Sequence, residues 1–279
     1  MPEEIVRVNP KIGAGSFIQA GHLSFQHLDW VSPYLRLEQP GCLALIADGE
    51  IKALISIEPE NPPVAWIRLF VCLRDGHHAH YFSQLLQRSL PYLKSKGVNQ
   101  LYTLSLAPWV EALFTANGFS TETHIITLKR EIEMEPAQIS TPESFSIRPM
   151  TVRDLDTVHT LDEQAFPPAW QMNRLSLQHA YQDSNYCTVA IAAGRIVGYQ
   201  MSTSTFSYAH LARLAVAPEA QHQHIGSALV QNVFMDCFEK GITTLSVNTQ
   251  SDNATSLKFY QSLGFQREGK LIPVYRKDL

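Results

Sequence analysis

The residues best suited to chemistry lie in the segment Leu211–Phe265. Within it, the polar turn Gln221–Ser227 precedes a helical pattern and contains Gly226. Amide groups at a helix N-terminus bind anions such as a pyrophosphate, and a glycine lets the backbone approach the anion closely. Asn253 and Tyr260 are seven residues apart, which puts both on one face of a helix, about 10 Å apart along its axis. The pattern predicts an anion-binding turn near a phenol that can donate a proton.

Two apolar runs and an amphipathic helix must position these side chains. The run Leu211–Val216 ends before Pro218 and predicts a buried strand, and Leu245–Val247 predicts another. Between them a helix is indicated by apolar residues four apart, at Ile225, Leu229, Val233 and Cys237. Strand, helix and strand in this order imply a right-handed crossover with locally parallel strands. Such a unit, followed by a short helix with a polar tyrosine, indicates an acyl-coenzyme A site.

Composition and charge limit the class of protein. The chain has 279 residues, 45% of them hydrophobic and 17% charged, with a formal net charge of −4. This charge argues against sequence-independent nucleic-acid binding, which needs a clustered basic surface. No apolar run reaches the roughly 18 residues of a membrane-spanning helix, and the acidic start Met1–Glu4 is unlike a signal peptide. The cysteines lie in apolar runs without metal-ligand spacing, at Cys42, Cys72, Cys187 and Cys237. We therefore expect reduced thiols in a cytoplasmic protein.

The chain contains one pattern twice. Matching segments recur at a separation of about 145 residues, which is too long for a solenoid repeat. The pairs are Gly41–Ile51 with Tyr186–Ile196, Lys94–Val98 with Phe238–Ile242, and Ala116–Phe119 with Ser262–Phe265. A stretch between the copies that contains glutamate and proline is poor at forming helix or strand. We therefore predict domains at residues 1–133 and 145–279, joined by a linker at 134–144.

The residues of the second copy resemble the GNAT superfamily of acetyl-CoA-dependent N-acetyltransferases. Gln221, His224 and Gly226 occupy positions of the family's glutamine-or-arginine, x, x, glycine, x, glycine signature, which cradles the cofactor pyrophosphate. The resemblance also places at the cofactor the other residues of this turn, His222, Gln223, Ile225 and Ser227. Asn253 matches the family asparagine that bonds the cofactor. Tyr260 matches the family tyrosine that protonates the departing CoA thiolate.

The same resemblance implies a fold. We expect an α/β (α+β) protein with two tandem GNAT-like domains, each a mixed central sheet flanked by helices. In the family, one strand with a splayed backbone pairs with the pantetheine amides of the cofactor. The residues that match this strand are Leu214, Ala215 and Val216. The co-substrate implied is acetyl-CoA, and its partner is an amine.

One position departs from the family signature, because its first glycine is His224 here. If that position needs a positive φ, histidine is among the more tolerable non-glycine residues, although some strain is expected. His222 and His224 form a His-x-His pair. No carboxylate or cysteine stands beside them, so no metal site is predicted.

The mechanism that the resemblance implies is direct attack of a neutral amine on the thioester carbonyl. Amides of the Leu214 strand stabilise the oxyanion, and Tyr260 protonates the leaving sulfur. Ala212 and Arg213 stand where many family members place a glutamate base, so His210 is the nearest titratable candidate. Two alternatives stay open. His210 is an exposed histidine at a strand end, or a base acting through water, or none, suffices because an α-amine loses its proton at about pH 8.

The first copy lacks this chemistry. The pairs aligned by counting back from shared positions are Tyr260 with Phe114, Asn253 with Ala107, and Gly226 with Phe82. A phenyl ring cannot donate a proton, so we interpret the first copy as degenerate. We expect it to be kept for stability or as a wall of the substrate cleft.

The acceptor stays open at this point. The segment Asp162–Trp170 resembles the loop that borders the peptide site in ribosomal-protein N-terminal alanine acetyltransferases. The tandem layout with a degenerate first copy instead resembles mycothiol synthase, which acetylates a small amino-sugar thiol. A third interpretation is an acyl-CoA-binding sensor without activity, against which the retained Asn253 and Tyr260 weigh. The oligomeric state expected is a monomer or a homodimer.

Overall fold

Strands and helices alternate along both halves of the chain. A computed structural model describes residues 3–9, 13–20, 22–27, 30–104, 107–132 and 144–279. The strands are β1 (Glu4–Arg7), β2 (Leu23–Gln26), β3 (Cys42–Ala47), β4 (Glu50–Asn61), β5 (Val64–Cys72), β6 (Gln100–Leu104), β7 (Ser120–Glu131), β8 (Ser146–Pro149), β9 (Tyr186–Ala192), β10 (Arg195–Ser204), β11 (Tyr208–Val216), β12 (Thr244–Gln250) and β13 (Gln266–Asp278). The helices are α1 (Ala14–Gln19), α2 (Pro33–Arg36), α3 (His78–Ser95), α4 (Trp109–Ala116), α5 (Leu155–Ala165), α6 (Arg174–Asp183), α7 (Ile225–Glu239) and α8 (Ala254–Ser262).

The described residues form two compact units. The first unit consists of Met1–Thr123 together with Ile272–Leu279, and the second unit is His124–Leu271. Each unit has a mixed sheet, with α3 packed on the sheet of the first and α7 on the sheet of the second. The expected α/β fold of two tandem copies is therefore confirmed.

In the first unit the strand order is β1-β3-β4-β5-β6-β13. The strands β5 and β6 run parallel but pair only over Val64–Trp66 and Gln100–Tyr102. Beyond that point β2 pairs antiparallel with residues Leu69–Cys72 of β5. Where β6 no longer pairs with β5, β2 of the same unit pairs with that edge instead.

In the second unit the order is β7-β12-β11-β10-β9-β8. Here β11 and β12 run parallel and pair only from Tyr208–Leu211 to Thr244–Val247, and the pairing then stops. On its other side β11 is antiparallel to β10, and Ala212 is an extra residue between two paired positions. Such a β-bulge bends a strand and re-aims the side chains that follow it. The parallel strands and the crossover helix between them agree with the sequence prediction.

The helix α7 is held against this sheet by the predicted apolar stripe. Ile225, Leu229, Val233 and Cys237 are all buried. Gly198 of β10 faces the start of the helix, where an added Cβ would lie 3.1 Å from the Ile225 side chain and 3.2 Å from that of Leu229. The absence of a side chain at Gly198 therefore lets the N-terminus of α7 approach the sheet closely.

The last strands are exchanged between the two sequence copies. The strand β7 follows α4 of the first copy, but its residues from Ile125 to Glu131 pair with β12 of the second unit. The strand β13 follows α8 of the second copy, but Val274–Asp278 pair with β6 of the first unit. The compact units therefore do not coincide with the predicted ranges 1–133 and 145–279, which stay a prediction about the repeat. Of the predicted linker, residues 134–143 lie outside the described residues.

The turn before α7 has an unusual backbone. His222 has φ 62° and His224 has φ 63°, so both are left-handed. His224 is the N-cap residue of α7 and makes no side-chain capping bond. The position of the missing family glycine thus has a positive φ, and a non-glycine residue there costs roughly 1–2 kcal/mol. The backbone strain that the sequence analysis expected is therefore located at His224.

Two substitutions at His224 isolate this backbone strain, because both remove the imidazole. We expect His224→Ala to have a free energy of unfolding about 1 kcal/mol lower than His224→Gly, since only glycine is unstrained at positive φ. Urea unfolding of the two variants measures the difference. The control is the same pair at Gln221, where φ is −66° and alanine should be the more stable residue. The same order of stability at both positions would contradict the strain.

Candidate active site

Two adjoining cavities open along β11 in the second unit. The larger has a volume of about 500 Å³ and the other about 450 Å³. Their shared lining consists of Leu214, Ala215, Val216, Gln221, Thr255 and Ser256. We call the larger one the turn cavity; it is otherwise lined by Ala220, His222, His224, Ile225, Gly226, Ser227, Phe259 and Tyr260. The second, which we call the aromatic cavity, is otherwise lined by Ala165, Phe166, Pro167, Trp170, Gln250, Asp252 and Asn253.

One edge of β11 faces these cavities without a partner strand among the described residues. Leu214, Ala215 and Val216 pair with β10 on one side, but pairing with β12 ended at Leu211. Backbone N–H and C=O groups on such an edge need partners. One of them is supplied locally, because Gln221 Nε2 donates to the Val216 carbonyl oxygen at 3.3 Å. The remaining edge suits an extended ligand that carries amide groups of its own.

The N-terminus of α7 completes the turn cavity. The ladder of the helix begins with the Ala228 N–H, which donates to the His224 carbonyl oxygen at 3.0 Å. The N–H groups of Ile225, Gly226 and Ser227 precede that bond and so are not used by the ladder. A Cβ added at Gly226 would lie 3.4 Å from Phe259 Cζ, an ordinary contact, so the protein itself leaves room there. A cradle of amide groups at the positive end of a helix dipole suits an anion.

Helix α8 carries the predicted asparagine and tyrosine. Asn253 is its N-cap residue, and its Oδ1 accepts from the Ser256 N–H at 3.0 Å. The capping role considered in the sequence analysis is thus observed, and Asn253 also lines the aromatic cavity. The two predicted residues therefore lie on α8 as expected, with Asn253 at the aromatic cavity and Tyr260 at the turn cavity.

Tyr260 is buried and packs against Phe259 and Phe265 at ring-centroid distances of 5.1 and 5.5 Å. Its hydroxyl makes no hydrogen bond to any residue that the structure describes. Burial raises the pKa of the Tyr260 phenol, and the positive charge of Arg213 opposes that shift only in part. The phenol is therefore protonated at neutral pH, as a proton donor must be.

His210 is placed differently from the other predicted residues. Its Nδ1 lies 2.7 Å from Ser246 Oγ, and it lines neither cavity. It precedes Leu214 by four residues of β11, or about 13 Å at the rise of a strand. Burial lowers the pKa of the His210 imidazole, which keeps it neutral at pH 7. The imidazole can accept a proton, but the structure does not bring it to the cavities, and its catalytic role stays a prediction.

The remaining predicted residues divide by position. All seven residues of the turn Gln221–Ser227 were predicted to contact the cofactor. Among these seven, only Gln223 lines neither cavity. Its Nε2 instead donates to the Glu219 carbonyl oxygen at 3.3 Å. The sequence analysis did not select Ala220, Thr255, Ser256 and Phe259, which also line the turn cavity. Thr255 and Ser256 lie in the first turn of α8, just after the N-cap Asn253 and Ala254, so that turn was the signal that could have indicated them.

The equivalent place in the first unit is closed. Judged by the strand register, Leu214–Val216 correspond to Phe70–Cys72, and these residues pair with β2. Phe114 takes the place of Tyr260, since Phe119 N–H donates to Phe114 O as Phe265 N–H does to Tyr260 O, each at 3.0 Å. The alignment of Gly226 with Phe82 needs correction. Helix α3 begins at His78, one turn earlier than the count assumed, so Ala79 holds the second helical position and Phe82 lies in the core.

Within the described ranges, no group of three or more His, Cys, Asp or Glu residues is arranged to hold a metal ion. None of the helices that the structure describes has the length and apolar character needed to cross a membrane.

Comparisons with known proteins agree with this geometry. Residues 155–265 match the Acetyltransferase (GNAT) family. An N-acetyltransferase of Methanocaldococcus jannaschii is 29% identical over 136 residues, which are 47% of this chain and 84% of that protein. The [ribosomal protein bS18]-alanine N-acetyltransferase of Escherichia coli is 23% identical over 121 residues, 43% of this chain and 80% of that protein. A mycothiol acetyltransferase of Kocuria rhizophila is 20% identical over 246 residues, 81% of each chain.

A solved structure extends the likeness to both units. The tandem GNAT protein from the clavulanic acid biosynthesis pathway covers 99% of this chain and 98% of its own, at a TM-score of 0.60 and 14% identity. At that identity the likeness concerns the fold. The matched region, the relatives and the fold agree: they support a GNAT acetyltransferase, with the family match at residues 155–265 and a tandem GNAT fold over the chain.

Proposed function

We propose that the second unit transfers an acetyl group from acetyl-CoA to a primary amine by direct attack. The observation that carries this proposal is the continuity of one ligand path. The free edge of β11 at Leu214–Val216 leads to the amide cradle at Gly226, and the phenol of Tyr260 borders the same cavity. An extended amide chain with a pyrophosphate at one end and a thioester at the other matches the chemistry of that path.

Each part of the path has a role in binding. The N–H groups of Ile225, Gly226 and Ser227 receive the pyrophosphate, and the β11 edge pairs with the pantetheine amides. Of the remaining predicted residues, Gln221, His222 and His224 shape the turn cavity, and Asn253 contacts the cofactor from the adjoining aromatic cavity. Gln223 is the predicted contact with least support, since it lies outside both cavities.

The chemical step needs few groups. The neutral amine forms a bond to the thioester carbon, and the backbone N–H groups of the Leu214 strand hold the developing oxyanion. The carbon–sulfur bond then breaks, and Tyr260 gives its proton to the sulfur. The ammonium proton of the product passes to water, and Tyr260 regains a proton from water. Because His210 lies outside the cavities, we assign it no required part in this sequence.

The acceptor enters from the aromatic cavity. Phe166, Pro167 and Trp170 line its apolar side, and Gln250, Asp252 and Asn253 line its polar side. Two acceptor classes follow from the relatives, a peptide with an N-terminal alanine and a small amino sugar that carries a thiol. A panel with one hexapeptide that starts with alanine and one small amino-sugar thiol separates them, with CoA release as the measured signal.

The cell compartment that we propose is the cytoplasm. Cys42, Cys72, Cys187 and Cys237 are all free thiols. Burial raises the pKa of Cys187 and of Cys237 to about 11 each, so neither thiol is reactive at neutral pH. Unreactive, unpaired thiols fit a reducing compartment.

The first prediction concerns proton donation by Tyr260. We expect Tyr260→Phe to lower kcat by about a hundredfold or more, the usual contribution of a general acid, because the leaving sulfur then lacks its proton. The Kd of acetyl-CoA should stay within about twofold, since the ring is retained and a twofold change is small on the affinity scale. Steady-state kinetics and calorimetry measure the two quantities. Tyr208→Phe, at an exposed tyrosine of the same unit, should change neither. An unchanged kcat in Tyr260→Phe would refute the assigned role.

The second prediction concerns the cradle at Gly226. We expect Gly226→Ala to keep or raise the free energy of unfolding by up to about 1 kcal/mol, because alanine favours helix and the new Cβ meets only ordinary contacts. The Kd of acetyl-CoA should rise at least about tenfold, because the methyl group occupies the approach of the phosphate. The matched control is Gly15→Ala, also at the second position of a helix, where the nearest atom is 4.0 Å away. Binding that stays unchanged in Gly226→Ala would place the pyrophosphate elsewhere.

The third prediction concerns the number of sites. We expect calorimetry to give one acetyl-CoA per chain, because β2 already pairs with the edge that a second cofactor would need. The single site should be the one weakened by Gly226→Ala. Two sites of comparable affinity, or one site insensitive to Gly226→Ala, would contradict the assignment to the second unit.

A further inference from the structure

A buried carboxylate that the proposed reaction does not use lies beside the aromatic cavity. Asp162 is near the end of α5 and has no solvent exposure. Its Oδ1 accepts from the Met172 N–H at 2.8 Å, and its Oδ2 accepts from the hydroxyl of Tyr199 and from Arg213 Nε at 2.7 Å. A buried charge is tolerated only when its lone pairs are met in this way.

Arg213 uses its guanidinium on three partners at once. Besides Asp162, its Nη2 donates to the Trp170 carbonyl oxygen at 2.7 Å, and its plane lies 3.5 Å from the centroid of the Phe166 ring. The planar fork of an arginine can make these contacts together, whereas a lysine offers a single point charge. Arg213 therefore joins β11 to two residues of the segment Phe166–Met172.

The same segment is tied at further points. The Met172 N–H reaches Asp162, and Gln171 Nε2 donates to the carbonyl oxygens of Glu163 and Phe166 at 2.8 and 2.9 Å. Phe166 and Trp170 of this segment line the aromatic cavity. The shape of that wall thus depends on contacts that converge on Asp162 and Arg213.

The position of Arg213 on β11 gives this cluster a link to the reacting atoms. Arg213 directly precedes Leu214, which lines both cavities, and directly follows the bulge at Ala212. A bulge re-aims the side chain beside it. Its positive charge also acts on the phenol of Tyr260, where it lowers the pKa against the effect of burial. Arg213 therefore contacts Phe166 and Trp170 of the aromatic cavity from β11, the strand that holds the thioester in the proposed function.

We propose that Arg213 is a positioning residue, which with Asp162 fixes the wall of Phe166 and Trp170 against the β11 strand so that the acceptor amine meets the acyl group. This role rests on the proposed function of the second unit. The proposal assigns a role to Arg213, which stands where many family members place a glutamate base. Arg213 touches neither the amine nor the sulfur, and it acts through the wall that it holds.

The test uses Arg213→Lys in the full chain, because lysine keeps a positive charge beside Asp162 and avoids a buried unpaired carboxylate. Hydrogen exchange followed by mass spectrometry reports on residues 163–173. We expect exchange in this segment to rise at least about tenfold, since a charged hydrogen bond of this kind is worth a tenfold change or more. Exchange in α7 and the Kd of acetyl-CoA should stay within about twofold of the parent, a small change on the affinity scale. Unchanged exchange in residues 163–173 would overturn the role.

Kinetics supply the second arm, with the alanine-starting hexapeptide and the amino-sugar thiol as acceptors. We expect kcat/KM for the acceptor that is used to fall at least about tenfold, mainly through a higher acceptor KM, while the KM of acetyl-CoA is unchanged. Phe166→Leu, which removes the stacked ring but keeps the ion pair, should raise the same KM. A fall confined to kcat, or equal losses for both substrates, would overturn the role.

The matched control is Arg174→Lys, at an arginine of α6 whose ion pair with Asp156 is exposed. Such a surface pair contributes little, so exchange and kinetics should both equal those of the parent. If the parent protein turns over neither acceptor, that failure concerns the proposed function. The exchange arm and the acetyl-CoA affinity still decide whether Arg213 holds the wall.

Discussion

Both units depend on how they satisfy one exposed strand edge. In each, two parallel strands pair for three or four residues and then part, which leaves backbone amide and carbonyl groups without a sheet neighbour. Such groups need partners wherever water is excluded. The first unit meets this need internally, because β2 pairs with Leu69–Cys72. The second unit leaves Leu214–Val216 open, and the same fold thereby changes from a closed sheet into a groove.

The groove beside β11 can orient an acceptor only if the opposite wall, which contains Phe166 and Trp170, keeps one geometry. A strand edge and a helix N-terminus can hold an extended anion, but they do not decide where an amine approaches it. In this protein that wall is a loop between α5 and α6, and loops keep one geometry only when specific contacts hold them. The buried pair of Asp162 and Arg213 supplies such contacts from the strand itself. Under the proposed function, neighbouring residues of β11 thus serve both donor binding and the wall that the acceptor meets.

The sequence predicts the local features well because they depend on neighbouring residues. The stripe of α7, the turn before it, and the positions of Asn253 and Tyr260 on α8 all follow from short spacings. The features that it does not predict depend on residues far apart in the chain. The pairing of β2 with β5, the bulge at Ala212 and the contacts of Arg213 with α5 have no periodic signature. The alignment of Gly226 with Phe82 is wrong for a related reason. Helix α3 is longer than α7 by most of a turn, so counting back from the C-terminal end of each helix misplaces the N-terminal residues by that amount.

The last strand of each sequence copy pairs within the compact unit that the other copy mainly forms. A break in the coding sequence between the two copies would leave the upstream fragment with a strand, β7, whose pairing partner β12 is encoded downstream. The downstream fragment would in turn retain β13 and lack the strand that borders β12. Each fragment would present an unpaired sheet edge, the feature that drives association and aggregation. The exchanged strands therefore make each sequence copy depend on the other for a complete sheet.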